Sequence, residues 1–379
     1  MIKNFYCRGF RNVNCMDLKV ANNNILIGEN SSGKTNFLCA LTFVYNMVSK
    51  PRIERTGFLS EVSRNSWNIA NKFSADTICS FYWVFELGGK TFEYGLKFHT
   101  GEKREDFYIL IEELKVNGVE YIKTNGELAY FSTGTDICKD TDIAEKLVVE
   151  VDNTETILLQ FNGLFFRNKK MGNSSFISGE IRRDIEELKR YLNLGVSYYS
   201  CSGFNVKELC RDINISDDDI LNIDGSNFAN VFRRLQDSDS TFKDRYIKLL
   251  SRFDSCIHNI RVNEYRGKVW IEVGVKWTYI PLKDMGSGTI HLMVLLLLLC
   301  QKNKSLLILE EPETNLSTFW IEMIADELLK HNSQCFISTH STKLYSHFVK
   351  GCKDKETASF VCKVQGRADE DNVTGNMII

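Results

Sequence analysis

The chain has 379 residues, 43% hydrophobic and 25% charged, which excludes a disordered or fibrous protein and suggests one large or two medium domains. Lys and Arg total 47 against 49 Asp and Glu, and the net charge of −2 excludes a surface that is basic all over while leaving room for a local basic groove. Only three prolines occur, at Pro51, Pro281 and Pro312, so no Pro-rich hinge separates modules and the chain is expected to be compact.

Twelve cysteines are scattered without a CxxC pair, and the six histidines lie at no metal-ligand spacing from them. Charge breaks the N-terminus before an apolar leader can form, and the longest apolar run, Leu292 to Cys300, is about half a membrane span. A soluble, cytoplasmic protein with buried free thiols and no membrane partner is the expectation.

In chain order, residues 5–27 alternate loosely between apolar and polar and end in the short apolar strand Asn24–Gly28. From Lys34, the residues Phe37, Leu38, Leu41, Val44 and Tyr45 repeat at helical spacing. Residues 50–75 are polar and aperiodic and are expected to be irregular. Two hairpins follow, Phe81–Leu87 with Thr91–Phe98 around Gly88-Gly89, and Tyr108–Val116 with Val119–Ile122 around Asn117-Gly118. The middle is more helical: an amphipathic helix over Ile181–Leu192 stops at Gly195, and further helices are predicted at Phe228–Leu235 and Tyr246–Phe253. Strands return at Ile260–Val262, Val269–Val273 and Trp277–Ile280. An apolar helix near 289–300, a strand at Leu306–Leu309, a helix near 318–330 and a strand at Cys335–Ser338 complete the pattern. Strand–helix alternation at both ends predicts an α/β sheet built from the two termini with the middle inserted. No heptad pattern is sustained, which excludes a long coiled coil.

Four segments carry chemistry. Gly28-Glu29-Asn30-Ser31-Ser32-Gly33-Lys34-Thr35 matches the P-loop pattern between a strand and a helix. There, glycines let backbone N–H groups wrap phosphate oxygens, Lys34 supplies a mobile positive charge, and the Thr35 hydroxyl suits Mg²⁺. Asn36 follows directly and joins the cofactor-binding candidates. Glu310-Glu311-Pro312-Glu313 ends an apolar strand in paired carboxylates, Glu310 suited to the Mg²⁺ shell and Glu311 to polarising water; the competing reading is a buried strand running into an acidic loop. Ser338-Thr339-His340-Ser341 ends a second apolar strand, where His340 is a candidate γ-phosphate sensor or a structural histidine. Gly286-Ser287-Gly288-Thr289 opens the apolar helix as a further anion site, or as a simple cap.

The order Phe10-Arg11-Asn12, Gly28 to Thr35, Gly286 to Thr289, Glu310 to Glu313 and Ser338 to Ser341 resembles the ABC-class ATPase heads of the RecF and OLD type. It is most similar to the stand-alone ATP-binding proteins of bacterial anti-phage defence islands, with the likeness densest over 1–45 and 260–345. The resemblance implies an α/β P-loop NTPase of the ABC head type, with a mixed sheet, a flanking antiparallel β region and a mostly helical insertion. Its expected divisions are 1–134 and 256–379 for the head and 135–255 for the insertion. The resemblance further implies ATP and Mg²⁺ as cofactors and a homodimer, or a higher assembly of heads, sandwiching ATP. Ser287 and Gly288 would then touch the γ-phosphate in trans, Glu310 and Thr35 would serve the metal, Glu311 would be the catalytic base and His340 the switch histidine. Glu313 to Ser317 would form the D-loop. The implied function is an ATP-hydrolysing regulator of a separate nuclease or toxin-like effector.

The chain departs from that pattern at several points. Glu310 stands where many relatives carry Asp, Gly286 to Thr289 is not a full LSGGQ, and neither Gln160 nor Gln236 falls where a Q-loop glutamine belongs. About 39 residues follow His340, too few for the nuclease domain of OLD proteins. Alternatives are a DNA-clamping repair ATPase, with Arg167, Lys169, Lys170, Arg182, Arg183, Lys189 and Arg190 as its basic candidates, and a nucleotide-gated scaffold with slow turnover.

Overall fold

The computed structural model describes residues 1–28, 32–49, 77–101, 106–132, 146–170, 177–201, 206–301, 304–351 and 357–362. The chain divides into two compact units, one holding Met1–Ala21 and Glu29–Gly195, the other Asn22–Gly28 and Val196–Phe360. The segment expected to be irregular, 50–75, lies outside the described residues.

The chain opens with β1 (Ile2–Phe10) and β2 (Val13–Lys19) of the first unit, then β3 (Asn23–Gly28) of the second. Back in the first unit come α1 (Lys34–Ser49), β4 (Ile78–Leu87), β5 (Lys90–His99) and β6 (Tyr108–Val116). β7 (Val119–Thr124), β8 (Leu128–Ser132), β9 (Lys146–Glu150), α2 (Ile157–Lys170) and α3 (Gly179–Asn193) complete it. Its eight strands form one antiparallel sheet in the order β2-β1-β4-β5-β6-β7-β8-β9. Both predicted hairpins are present. Gly88 and Gly89 have φ of 53° and 78°, and Asn117 and Gly118 have 49° and 79°, the paired positive values that a tight two-residue hairpin turn requires.

Alternation along β4 sends Phe81, Trp83 and Phe85 inward; α1 meets the first two, and Phe85 lies edge-on to Tyr191 of α3 at 5.8 Å. Phe43 of α1 stacks on Phe81 at 4.9 Å and on Phe98 at 5.1 Å, and the Trp83 indole N–H donates to the Leu41 carbonyl. Each such ring buried contributes about 1.5–3 kcal/mol, so α1 is held by its apolar face rather than by helix propensity. The predicted helix over 181–192 buries Ile181, Ile185, Leu188 and Leu192 on one stripe. It starts where the Ser178 hydroxyl accepts from the Ile181 N–H, and ends before Gly195 at φ 74°. Its one buried carboxylate, Asp184, is paired with Lys90 at 2.8 Å and accepts from the Tyr121 hydroxyl.

The second unit continues with β10 (Val196–Ser200), α4 (Val206–Leu209), β11 (Ile213–Asn214), α5 (Phe228–Ser238) and α6 (Phe242–Phe253). Next are β12 (Ile257–Tyr265), β13 (Lys268–Val275), β14 (Thr278–Pro281) and a 3₁₀ turn at Leu282–Asp284. α7 (Ser287–Cys300), β15 (Leu306–Glu310), α8 (Thr318–Lys330), β16 (Gln334–Thr339), α9 (Thr342–Gly351) and β17 (Thr357–Cys362) close the chain's described part. A five-stranded sheet in the order β10-β15-β16-β3-β17 forms its centre, parallel from β10 to β3. Every residue of β15 and β16 is buried, as a sheet covered on both faces demands. α7 is buried all round from Ile290 to Leu298, matching the apolar run in the sequence. Among the described residues no helix is long and apolar enough to cross a membrane.

Three differences from the sequence reading stand out. Residues 196–200, to which the sequence pattern assigns no element, form β10, whose Tyr199 pairs with Leu309. β17 has no counterpart in the expected pattern. Trp277, expected to start a strand, sits in the turn after Lys276 (φ 51°) and is 99% exposed, so β14 begins one residue later. Apart from these, residues 135–255, expected as a mostly helical insertion, contribute β9, α2 and α3 to the first unit and β10 through α6 to the second. Nine cysteines whose side chains are described form no disulfide: Cys7, Cys79, Cys201 and Cys335 are buried, whereas Cys15 and Cys256 are exposed.

Candidate active site

Parallel pairing brings the predicted acidic and histidine segments to one edge of the second unit. Ile27 of β3 is in register with Thr339 of β16, and Ser338 of β16 with Glu310 of β15. Gly28, Glu310, Glu311 and His340 therefore share the carboxyl ends of three neighbouring strands, where open α/β sheets bind ligands.

Glu310 is buried, and its Oε1 has no hydrogen-bond partner among the described residues. A buried carboxylate oxygen left in that state is costly unless a cation meets it, so its chemistry fits Mg²⁺. Glu311 sits next to Glu310 in the left-handed region at φ 51°, a conformation that costs a non-glycine residue about 1 kcal/mol or more. Two backbone bonds hold it there: its N–H donates to the Ser338 carbonyl at 2.8 Å, and its carbonyl accepts from Thr314 N–H at 3.1 Å. That strained turn carries the Glu311 carboxylate to 3.0 Å from His340 Nε2, with both side chains about one third exposed.

Glu313 organises the same edge. One of its oxygens accepts from the Thr339 hydroxyl at 2.5 Å and from the backbone N–H groups of His340 and Ser341, each at 3.1 Å. The loop carrying His340 is thus tied to the turn carrying Glu311.

Gly286 is the N-cap of α7 and has no side chain to cap it, and Ser287 is exposed at its first turn. A Cβ on Gly288 would lie 2.6 Å from the Asn315 carbonyl oxygen, so only glycine allows α7 to approach the 311–316 turn this closely. One helical turn on, the His291 ring is buried, with Nδ1 2.5 Å from the Thr314 carbonyl and Nε2 3.0 Å from Cys201 Sγ.

Of the P-loop, Glu29, Asn30 and Ser31 lie outside the described residues. In the first unit, Gly33 has φ 90°, which bends the chain into the start of α1 at a cost that only glycine escapes. Lys34 is buried, its ammonium 3.4 Å from the Ser32 hydroxyl, while Thr35 is exposed in the first turn. Asn36 is held by the β1–β2 turn: its amide donates to Asn12 Oδ1 at 2.6 Å and its oxygen accepts from Arg11 at 2.8 Å. This accounts for the Phe10-Arg11-Asn12 segment, which braces the helix that begins the phosphate loop's exit. The loop glycine, the lysine and the helix N-terminus are the donor set that a nucleotide phosphate needs.

Glu313 as an organiser, and His291 with Cys201, escaped the sequence reading. A histidine inside the otherwise apolar stretch 290–298 is the signal that would have marked His291. Of the basic candidates for DNA contact, Arg182, Arg183 and Arg190 are exposed, but Lys189 turns inward, 5.9 Å over the Phe161 ring and 3.7 Å from Glu186. The side chains of Arg167, Lys169 and Lys170 lie outside the described ones.

Residues 197–346 match a family model described as "AAA domain, putative AbiEii toxin, Type IV TA system", and residues 1–57 match one described as "Protein of unknown function (DUF2813)". No curated protein matches the chain. Among solved structures, an Smc head bound to the C-winged helix domain of ScpA is 13% identical, with 95% of this chain and 93% of that one covered at a TM-score of 0.52. The SMC head domain from Thermotoga maritima is also 13% identical, with 95% and 94% covered at a TM-score of 0.44. The fold is that of a P-loop NTPase head, mixed α/β with a large antiparallel sheet, and residues 197–346 are similar to an AAA-type ATPase domain.

Proposed function

We propose that this chain binds ATP with Mg²⁺ and hydrolyses it, and that the cycle regulates a separate effector protein. The observation that carries this reading is the pairing of Glu311 with His340, beside the buried Glu310 oxygen that has no partner among the described residues, on the strand edge where Gly28 begins the P-loop. In this reading Gly28 to Gly33, Lys34 and Asn36 hold and brace the phosphates, and Thr35 with Glu310 holds the metal. Bound Mg²⁺ would neutralise charge on the phosphate oxygens. Glu311 takes the proton of the attacking water, and His340, on its Nε2 side, orients that carboxylate and reports on the γ-phosphate.

ATP would close two copies head to head, with Ser287 and Gly288 of one copy meeting the nucleotide of the other. The close packing of Gly288 on the 311–316 turn supports this, because it couples the phosphate-sensing helix end to the catalytic turn. Control of a partner in anti-phage defence draws support from the family description over 197–346, which names a toxin of a toxin–antitoxin system, and from a structural relative that binds a ScpA domain. Phosphate release by the purified protein is the deciding experiment. Turnover by the wild type no faster than that of Glu311→Gln removes the ATPase reading, and failure to co-purify with any neighbour-encoded protein removes the effector reading.

A further inference from the structure

The second unit contains a buried polar chain that none of these roles uses. Cys201, just past β10, meets His291 on α7, and His291 meets the Thr314 carbonyl in the turn that carries Glu311. The direction of each bond follows from the chemistry. A carbonyl only accepts, so His291 Nδ1 bears a proton. Burial lowers the His291 pKa to about 4, so at neutral pH the ring is uncharged and Nε2 keeps its lone pair. Burial first, then the nearby carboxylates of Glu313, Glu311 and Glu310, push the Cys201 thiol up, so Sγ keeps its hydrogen and donates it to Nε2. The thiol thereby locks the tautomer that presents Nδ1–H to Thr314. A thiol beside an imidazole is also the composition of a nucleophile–base pair, but here both groups are buried and the thiolate is disfavoured, so the pair is suited to holding rather than attacking.

What it holds is the turn. Gly288 packs on the Asn315 carbonyl and His291 binds the Thr314 carbonyl, so the first turns of α7 grip two consecutive peptide units. Thr314 in turn donates its N–H to the Glu311 carbonyl at 3.1 Å, and Glu311 is the residue in the left-handed conformation. Such a conformation persists only where its surroundings over-determine it.

We propose that His291 is a positioning residue for Glu311: its Nδ1–H holds the Thr314 carbonyl, and through it the 311–316 turn that aims the Glu311 carboxylate at His340. The kinetic part rests on the ATPase reading above; the mechanical part does not. Packing alone would be served by any apolar side chain of similar size, whereas positioning needs a donor at the Nδ1 place. His291→Leu removes the donor and His291→Asn retains one.

Two measurements test this, each on the full chain. The first is amide hydrogen exchange of Thr314 and Leu316, whose N–H groups close the turn onto the Glu311 and Glu313 carbonyls. The second is steady-state phosphate release, with ATP affinity measured separately. In His291→Leu the two amides should exchange at least about tenfold faster and kcat should fall roughly ten- to hundredfold at unchanged ATP affinity, as expected for a displaced catalytic group. His291→Asn should restore both most of the way. Unchanged exchange in His291→Leu overturns the proposal, as does an Asn variant no better than Leu. If the wild type releases no phosphate, the ATPase reading fails while the exchange comparison still decides whether His291 holds the turn. Should both variants unfold, ¹⁵N spectra of the wild-type imidazole decide: a neutral Nδ1–H form is expected, and an Nε2–H form ends the idea.

Discussion

His340 Nε2 lies 3.0 Å from Glu311 Oε1, and the two residues come from turns that follow neighbouring parallel strands. The pair needs both the left-handed φ of Glu311 and the clamp of Glu313 on the His340 backbone. An amide at position 311 keeps the shape of this arrangement but cannot take a proton. Glu311→Gln should therefore lower phosphate release by ~100-fold or more while leaving ATP binding intact. Equal loss of binding and turnover would show that Glu311 serves the nucleotide's affinity rather than the chemistry.

In the proposed reading Lys34 supplies the positive charge of the phosphate loop, and its side chain is buried. Lys34→Ala should abolish binding of a fluorescent ATP analogue with the circular dichroism spectrum unchanged. Retained binding would mean that the loop is not the nucleotide's cradle.

Gly288 faces the Asn315 carbonyl oxygen, and a Cβ there would come to 2.6 Å of a backbone atom that cannot rotate away. Gly288→Ala should therefore cost about 1–3 kcal/mol by overpacking, read as a lower urea midpoint. It should also slow phosphate release, because the displaced peptide belongs to the turn of Glu311. A variant as stable and as active as the wild type would show that this contact relaxes freely.

Glu112 carries a pH dependence of the first unit. Its carboxylate is buried and accepts from Ile157 N–H at 2.7 Å, Leu158 N–H at 3.3 Å and the Tyr94 hydroxyl at 2.8 Å, at the start of α2. Burial outweighs these donors and raises its pKa from 4.5 to about 7. The folded state thus holds the proton more tightly than the unfolded chain. The stabilisation is complete below pH 4.5 and is lost as pH rises through 7, a swing of about 3 kcal/mol. Urea unfolding between pH 5 and 8 should show that decline in the wild type and a flatter profile in Glu112→Gln. Matching profiles would remove Glu112 as the cause.

Much of the fold was legible locally. Gly88-Gly89 and Asn117-Gly118 announce their hairpins because the positive φ values of such turns are open to few residues. The stripe Ile181, Ile185, Leu188, Leu192 announces its helix by period, and the P-loop and the paired Glu310-Glu311 announce themselves by spacing alone. The candidate site was legible as a set of segments for the same reason: each is a run of neighbouring residues with a chemistry of its own.

What only the tertiary structure decided is who meets whom. Val196–Ser200 is short and polar enough to pass for a loop, and becomes a strand because β15 offers its edge. Glu313 reads as one more acid until strand order sets it beneath the backbone of His340 and Ser341. His291 reads as a blemish in an apolar helix until Thr314, 23 residues on, supplies its acceptor. The compact, near-neutral composition that opened the reading bounded the size of the core and excluded whole classes of protein. It carries no information on these pairings, because backbone preference and periodicity depend on adjacent residues, whereas hydrogen-bond partners depend on which distant strands the folded sheet places side by side.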